Sequence, residues 1–119
     1  MGFIDRLLGR TAPKPPDHAV LVYFEYGSPD LTELFAVEDA LERVLNEAQV
    51  GEFDGNELAA DGSGGTLFMY GPSADALFAA VRPTLEAVTF MQGARVVLRY
   101  GPPADDVREA TVTLPLPPS

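Results

Sequence analysis

AVLVYFEY, residues 19–26, is the stretch of sequence that decides the fold. Seven of its eight residues are apolar or aromatic, and Glu25 carries the only charge. β-Branched and aromatic residues favour strands, and a run that is apolar on both sides predicts a strand buried inside a sheet. TLFMY at residues 66–70 has the same character. The chain therefore predicts a sheet with two apolar strands in its middle.

A long helix is predicted directly after the first of these strands. Gly27-Ser28-Pro29 ends the strand, and apolar residues then recur at spacings of three and four over roughly residues 31–48. Asp30 and Glu33 have the spacing of a capping box at the start of this helix. The first central strand is thus followed by an amphipathic helix.

A second helix is predicted from Ser73, as its N-cap, to about Val88. Its inward side carries Leu77, Phe78, Val81, Leu85 and Val88. Pro83 lies inside it and lacks a backbone donor, so we expect a kink or a break near residues 79–82.

The remaining strands contain fewer apolar side chains. Residues 50–60 form a polar run interrupted by glycines, which is typical of an edge strand with a bulge. The glycine-rich residues 61–65 predict a hairpin loop that leads into the second apolar strand. ARVVLRY at 94–100 predicts a fourth strand, and VREATVTL at 107–114 predicts a fifth strand beside it.

This order of elements predicts an α+β domain of ferredoxin-like type. It consists of βαββαβ with an extra C-terminal strand, an antiparallel sheet of order 5-4-1-3-2, and both helices on one face. The domain covers residues 19–114, and residues 115–119 form a tail. Residues 1–18 are a short amphipathic segment followed by a Pro-rich linker. The apolar stripe of that segment is Phe3, Ile4, Leu7 and Leu8.

Alternation along the strands separates two faces of the predicted sheet. The face beneath the helices receives Val20, Val22, Phe24, Leu67, Met69, Val96, Leu98 and Tyr100. The opposite face receives Leu21, Tyr23, Glu25, Phe68, Tyr70, Arg95, Val97 and Arg99. That second face is too apolar for a surface left in water, so we expect a second copy of the chain, the N-terminal segment or a ligand to cover it. A homodimer is the leading expectation.

Glu25 and Arg95 fall on neighbouring strands of this second face. The simplest expectation is a cross-strand ion pair that contributes little to stability. The alternative is that the two side chains hold a ligand between them.

Most of the net charge lies in one segment. Residues 25–61 hold eleven carboxylates against Arg43 alone, a sum of −10, whereas the other 82 residues hold seven acids and seven bases. Such a charge repels nucleic acid and anionic lipid and favours a basic partner protein. The predicted partner-binding residues are Glu38, Asp39, Glu42, Glu47, Glu52 and Asp54.

The sequence offers no conventional site for catalysis or metal binding. It has no cysteine, and His18 is its only histidine, which excludes thiolate chemistry and multi-histidine metal sites. The acidic residues of 52–61 do not fit a calcium-binding loop in either register. We therefore predict no catalytic residues, no metal and no cofactor, with carboxylate-pair catalysis left open.

Targeting signals are also missing from the pattern. No apolar run approaches the ~20 residues that cross a bilayer. The N-terminus lacks the apolar stretch of a signal peptide. We expect a cytoplasmic protein without a membrane span.

Three stretches carry a resemblance to known proteins. YFEYGSPDLTELFAVEDAL, VGEFDGNELAADGSGGTLFMYGPSADALF and ARVVLRYGPP together resemble a group of small bacterial proteins of ferredoxin-like type, over about residues 19–101. This resemblance implies the fold and assigns no active site. As a small acidic protein that works by binding, the chain is also loosely similar to the regulator of ribonuclease E activity B family, which implies a function class and no residue roles.

The sequence therefore favours a non-catalytic binding or regulatory protein whose acidic 25–61 surface engages a basic partner protein. An immunity-like or inhibitor-like role fits this prediction. The alternative is a small-molecule-binding module or small enzyme that uses the second sheet face, with Leu21, Tyr23, Phe68, Tyr70, Arg95, Val97 and Arg99 as its site or as a dimer contact.

Overall fold

The structure is a computed structural model that describes residues 17–115. The predicted N-terminal stripe, the linker up to residue 16 and tail residues 116–119 lie outside the described residues. In the described part, the order is β1 (His18–Glu25), α1 (Thr32–Ala48), β2 (Glu52–Leu58), β3 (Gly64–Gly71), α2 (Ala74–Glu86), a 3-10 turn (Thr89–Met91), β4 (Arg95–Arg99) and β5 (Glu109–Thr113).

The five strands form one antiparallel sheet of order β2-β3-β1-β4-β5. This is the predicted order, because the apolar β1 and β3 need neighbours on both sides while the polar β2 and β5 tolerate an edge. The pairing of β2 with β3 is irregular between Phe53 and Asn56. The predicted edge strand with a bulge is therefore confirmed.

Both helices pack on one side of this sheet. α1 contacts α2 and β2, and α2 lies over β1, β3 and β4. The hydrophobic core between the two layers contains, from the sheet, Val20, Val22, Phe24, Leu67, Met69, Val96 and Leu98. All seven were predicted to face the helices, which confirms the strand alternation.

Tyr100 is the exception among the predicted core residues. Its side chain is only partly buried, and its hydroxyl donates a hydrogen bond to Asp75 Oδ1 at 2.7 Å. Because a phenol hydroxyl needs a polar partner, the ring packs at the margin of the core. The prediction that Tyr100 is a core residue is wrong in this respect.

The helix starts follow the sequence signals in part. Ser73 Oγ accepts a hydrogen bond from the Ala76 N–H at 3.1 Å, so the predicted N-cap of α2 is confirmed. At α1, Asp30 Oδ1 accepts from the Thr32 N–H at 3.0 Å, and the N-cap position makes no side-chain cap bond. Asp30 supports the first turn in this way without the reciprocal contact of a capping box.

Of the kink or break predicted near residues 79–82, the break does not occur, because α2 continues from Ala74 to Glu86. Pro83 lies near the C-terminal end of the helix, so only a few residues and few backbone hydrogen bonds of the helix follow it. Val81 and Leu85, on either side of it, are fully buried. Packing of these two side chains outweighs the lost backbone bond, as tertiary contacts commonly outweigh helix propensity.

Candidate functional site

The exposed side of α1 brings an aromatic ring together with carboxylates. Leu34, Leu41 and Leu45 of this helix are fully buried and fix its rotation. Glu38 and Asp39 lie three and four residues after Phe35, and Glu42 lies four and three residues after them, so the four share one strip of the helix surface. We call these four residues the Phe35 strip.

Phe35 is the most unusual member of the strip. Half of its surface is exposed (50%), and within residues 17–115 it is the only large hydrophobic residue of that exposure. Its neighbours Asp39 and Glu42 are exposed as well. The strip therefore presents an apolar ring beside negative charge.

Glu38 connects this strip to the edge of the sheet. Its carboxylate accepts a hydrogen bond from the Asn56 side-chain amide on β2. Burial raises the pKa of Glu38, the hydrogen bond from Asn56 opposes that rise, and the charge of Asp39 adds to it. The folded protein thus holds a carboxylate where its charged form is disfavoured.

The other three predicted partner-binding residues lie elsewhere. Glu47 comes five residues after Glu42, which places it about 140° further around the helix. Glu52 pairs with Tyr70 and points to the side of the sheet without helices. Asp54 lies in the bulge of β2. The structure therefore collects Glu38, Asp39 and Glu42 and separates the remaining three from them.

The side of the sheet that the helices leave uncovered is the second candidate surface, which we call the open face. Leu21 of β1 lies opposite Phe68 of β3 on one side and Val97 of β4 on the other. All three are partly buried. They form an apolar row across the middle of the open face.

Polar and aromatic side chains flank this row on both sides. Ala19 lies between Tyr70 and Arg99 in the register. One step beyond the apolar row, Tyr23 lies beside Arg95, whose guanidinium stacks over the tyrosine ring at 4.6 Å. Each residue predicted for the open face is therefore placed there.

The predicted ion pair between Glu25 and Arg95 does not form. Glu25 pairs with Gly64 at the end of β1, whereas Arg95 lies opposite Tyr23 and stacks on it. The two charged side chains instead line a shared cavity of about 320 Å³, with Gln92 among the other lining residues. The cross-strand prediction is wrong because the register offsets the two residues.

A polar cluster that sequence reasoning missed lies at the N-terminus of α2. His18 Nδ1 accepts a hydrogen bond from the Ala74 N–H at 3.0 Å, and its ring meets the Tyr100 ring edge-on at 5.7 Å. The hydrogen bond to Asp75 raises the pKa of Tyr100, and the Arg108 guanidinium lies 4.2 Å above the same ring.

Sequence signals for this cluster are weak, because its members come from distant parts of the chain. His18 and Ala74 are 56 residues apart, and Asp75 and Tyr100 are 25 apart. The hydrogen bonds join a strand to a helix start, which indicates a structural role. No pattern of spacing could have brought these residues together in advance.

Residues 17–115 contain neither a cluster of metal ligands nor a helix that could cross a membrane. That part of the chain has no group of three or more His, Cys, Asp or Glu side chains placed to hold a metal ion. Neither of its helices combines the length and apolarity that a bilayer crossing requires. No family model, curated protein or solved structure matches the chain. The resemblances drawn from the sequence therefore stay predictions.

Proposed function

We propose that this chain is a non-catalytic protein-binding module of ferredoxin-like topology that engages a basic partner protein with the Phe35 strip. The observation that carries the proposal is the half-exposed Phe35 among carboxylates. The βαββαβ order of the elements and the position of both helices on one side of the sheet support the fold assignment.

An exposed aromatic ring supplies the apolar part of the contact. Transfer of apolar area out of water stabilises a complex by roughly 25 cal/mol per Å². Aromatic residues are enriched at interfaces for this reason, and the contacts that dominate binding commonly cluster around such rings. Burial of the Phe35 ring against a partner would therefore stabilise a complex.

The carboxylates determine that the partner's contact surface is positively charged. Within residues 17–115, none of Glu38, Asp39 and Glu42 forms an ion pair with a basic side chain. A cationic group from another protein would relieve the repulsion between Glu38 and Asp39 and would favour the charged form of Glu38. Such charges also raise the rate of encounter with a basic surface.

A regulatory role follows from this mode of binding. A protein that covers the basic active site or basic nucleic-acid surface of another protein inhibits it without chemistry of its own. The immunity-like or inhibitor-like role predicted from the sequence is of this kind. A cytoplasmic location fits the same proposal.

Capture of proteins from a native lysate tests the proposal when matched variants are compared. Phe35→Ser and the pair Glu38→Gln with Glu42→Gln are expected to lose the captured basic protein. Asp105→Asn with Asp106→Asn, two exposed loop residues, removes the same charge elsewhere and is expected to retain it. Capture by the wild type is expected to weaken as salt is raised.

Two outcomes would contradict the proposal. Equal loss in the loop variant would show that only net charge matters. Capture of basic protein that survives Phe35→Ser and the paired glutamine changes would show that the Phe35 strip is not the contact.

A second candidate function uses the cavity at the end of β1. Glu25 and Arg95 line it with opposite charges that do not pair, so a small zwitterion could meet both groups. Thermal stabilisation of the wild type by free amino acids, lost in Arg95→Gln, would support this function. Equal melting temperatures with and without them would exclude that class of ligand.

A further inference from the structure

We propose that the open face is the contact between two copies of this chain, related by a two-fold axis parallel to the strands. In this arrangement β2 of each copy lies over β4 of the other. The proposal concerns the side of the sheet opposite the helices, so it does not depend on the Phe35 strip.

The open face has the composition of an interface centre with a polar rim. Leu21, Phe68 and Val97 form the apolar row in its middle. Interfaces between copies typically have an apolar centre and charged side chains at the edges. Stacked sheets bury such a row at a separation of about 10 Å with their strands roughly aligned.

On the open face, β2 carries acids and β4 carries arginines. On β2, Glu52 shares a row with Tyr70, and Glu57 shares one with Thr66. These residues point to the open face, because directly paired residues of a sheet point to the same side.

The same two rows contain arginines on β4, and the row of Arg99 continues to Glu109 on β5. The row of Glu52 continues through Ala19 to Arg99, and the row of Glu57 continues through Tyr23 to Arg95. The two acids of β2 and the two arginines of β4 are therefore placed symmetrically about a line between β3 and β1, and Glu109 lies outside this pattern at the edge of the sheet.

This symmetry selects the direction of the two-fold axis. An axis parallel to the strands and centred between β3 and β1 exchanges left and right, so Glu52 meets Arg99 of the second copy and Glu57 meets Arg95. An axis perpendicular to the strands would place the acids of one copy over the acids of the other. Like charges at an interface cost binding energy, which rules against the second arrangement.

Side-chain sizes agree with the same axis. It places Phe68 over Leu21 and the small Thr66 over Tyr23, and it brings Tyr70 to the row of Ala19, which is already fully buried within one copy. A large side chain therefore faces a small one at the row of Tyr23. Such alternation lets two inner faces interdigitate.

Self-complementarity is the reason to assign a second copy rather than another occupant. An isologous interface requires that one half of a surface match the other half. The N-terminal segment could cover the apolar row with Phe3, Ile4, Leu7 and Leu8. Its first 16 residues, however, hold three basic residues and Asp5 alone, which gives no pair of carboxylates to meet Arg95 and Arg99.

Sedimentation equilibrium of the full chain tests the proposal. The wild type is expected at twice the chain mass of 12.7 kDa. Glu52→Lys with Glu57→Lys is expected to dissociate at least tenfold more readily, as is Arg95→Glu with Arg99→Glu. An equimolar mixture of these two variants is expected to regain the dimer, because each now carries the charges that the other requires.

Controls separate misfolding from lost contact. Asp105→Lys with Asp106→Lys reverses two charges on an exposed loop and is expected to remain dimeric. Arg99 also donates a hydrogen bond to the Gly101 carbonyl at 2.7 Å, so Arg95→Glu alone serves as a second variant that leaves this bond intact. Recovery in the mixture itself shows that both variants are folded.

Three results would overturn the proposal. A wild type that stays monomeric at every concentration would refute the contact. This holds even if the chain dimerises after removal of residues 1–16. A dimer indifferent to both charge reversals would lie on another surface, such as the edge of β5. Loss of the dimer in Arg95→Glu but not in Glu52→Lys with Glu57→Lys would refute the stated axis.

Discussion

The hydrogen bond between His18 and the start of α2 gives a stability prediction that the structure makes quantitative. The Ala74 N–H is one of the donors that a helix N-terminus leaves without an intrahelical partner. His18 Nδ1 accepts it at 3.0 Å in a partly buried site. Because the backbone group is the donor, the imidazole accepts at Nδ1 and carries its proton on Nε2.

The cost of replacing His18 has two parts. Loss of the acceptor leaves a partly buried donor unpaired, at about 1–3 kcal/mol. Loss of the edge-on contact with Tyr100 removes about 0.5–1.5 kcal/mol. His18→Ala is therefore expected to lower the free energy of unfolding by about 1.5–4.5 kcal/mol. His18→Asn places an oxygen near the position of Nδ1 and is expected to lose only the ring contact, about 1 kcal/mol.

Urea unfolding followed by circular dichroism measures both variants, with His18→Gln as the control. The glutamine oxygen lies one bond further out, so this variant is expected to resemble His18→Ala. Amide exchange at Ala74 should accelerate in the alanine and glutamine variants and stay near wild type in the asparagine variant. Equal destabilisation by asparagine and alanine would refute the assignment of the hydrogen bond as the main contribution.

Two further predictions concern Glu38 and Gly51. The pKa of Glu38 is raised, so the folded chain binds this proton more tightly than the unfolded chain, and stability rises as pH falls through the raised pKa. Glu38→Gln is therefore expected to be more stable than wild type in urea at pH 7, and this gain should vanish below the ordinary glutamate pKa of 4.5. At Gly51, an added Cβ would lie 2.2 Å from the Tyr70 carbonyl oxygen. Gly51→Ala is thus expected to lower the free energy of unfolding by about 3 kcal/mol in the same assay, and an unchanged midpoint would contradict the close approach of β2 to β3.

The order of the strands could be predicted because hydrophobicity differs between central and edge strands. AVLVYFEY and TLFMY lack the polar side chains that an edge requires, so β1 and β3 could only be central. Strand alternation then separated the core side chains Val20 and Val22 from Leu21 on the open face. These inferences depend on residues that are close together in the chain.

Contacts between distant residues were outside the reach of such patterns. The register that offsets Glu25 from Arg95 depends on how β1 and β4 pair, and the rotation of α1 that separates Glu47 from Glu42 depends on its buried leucines. The distribution of charge along the sequence located the acidic segment. It could not show that the acidic side chains of this segment lie on different surfaces of the protein. Phe35 was missed because an aromatic residue in a helix is usually part of the core.

The two proposed surfaces lie on opposite layers of the molecule, and this has a consequence for how they could work together. In a dimer joined through the open faces, both helical layers point outward, so each copy keeps its Phe35 strip in solvent. Two strips on one particle can hold a partner with two basic sites, since the second contact forms at a high effective concentration. The charge that the strip needs for its partner also keeps the helical layers of two copies apart, because acidic surfaces repel each other. The acidic surface on α1 therefore disfavours association through the helices and favours the open face, where Glu52 and Glu57 of one copy would meet arginines of the other.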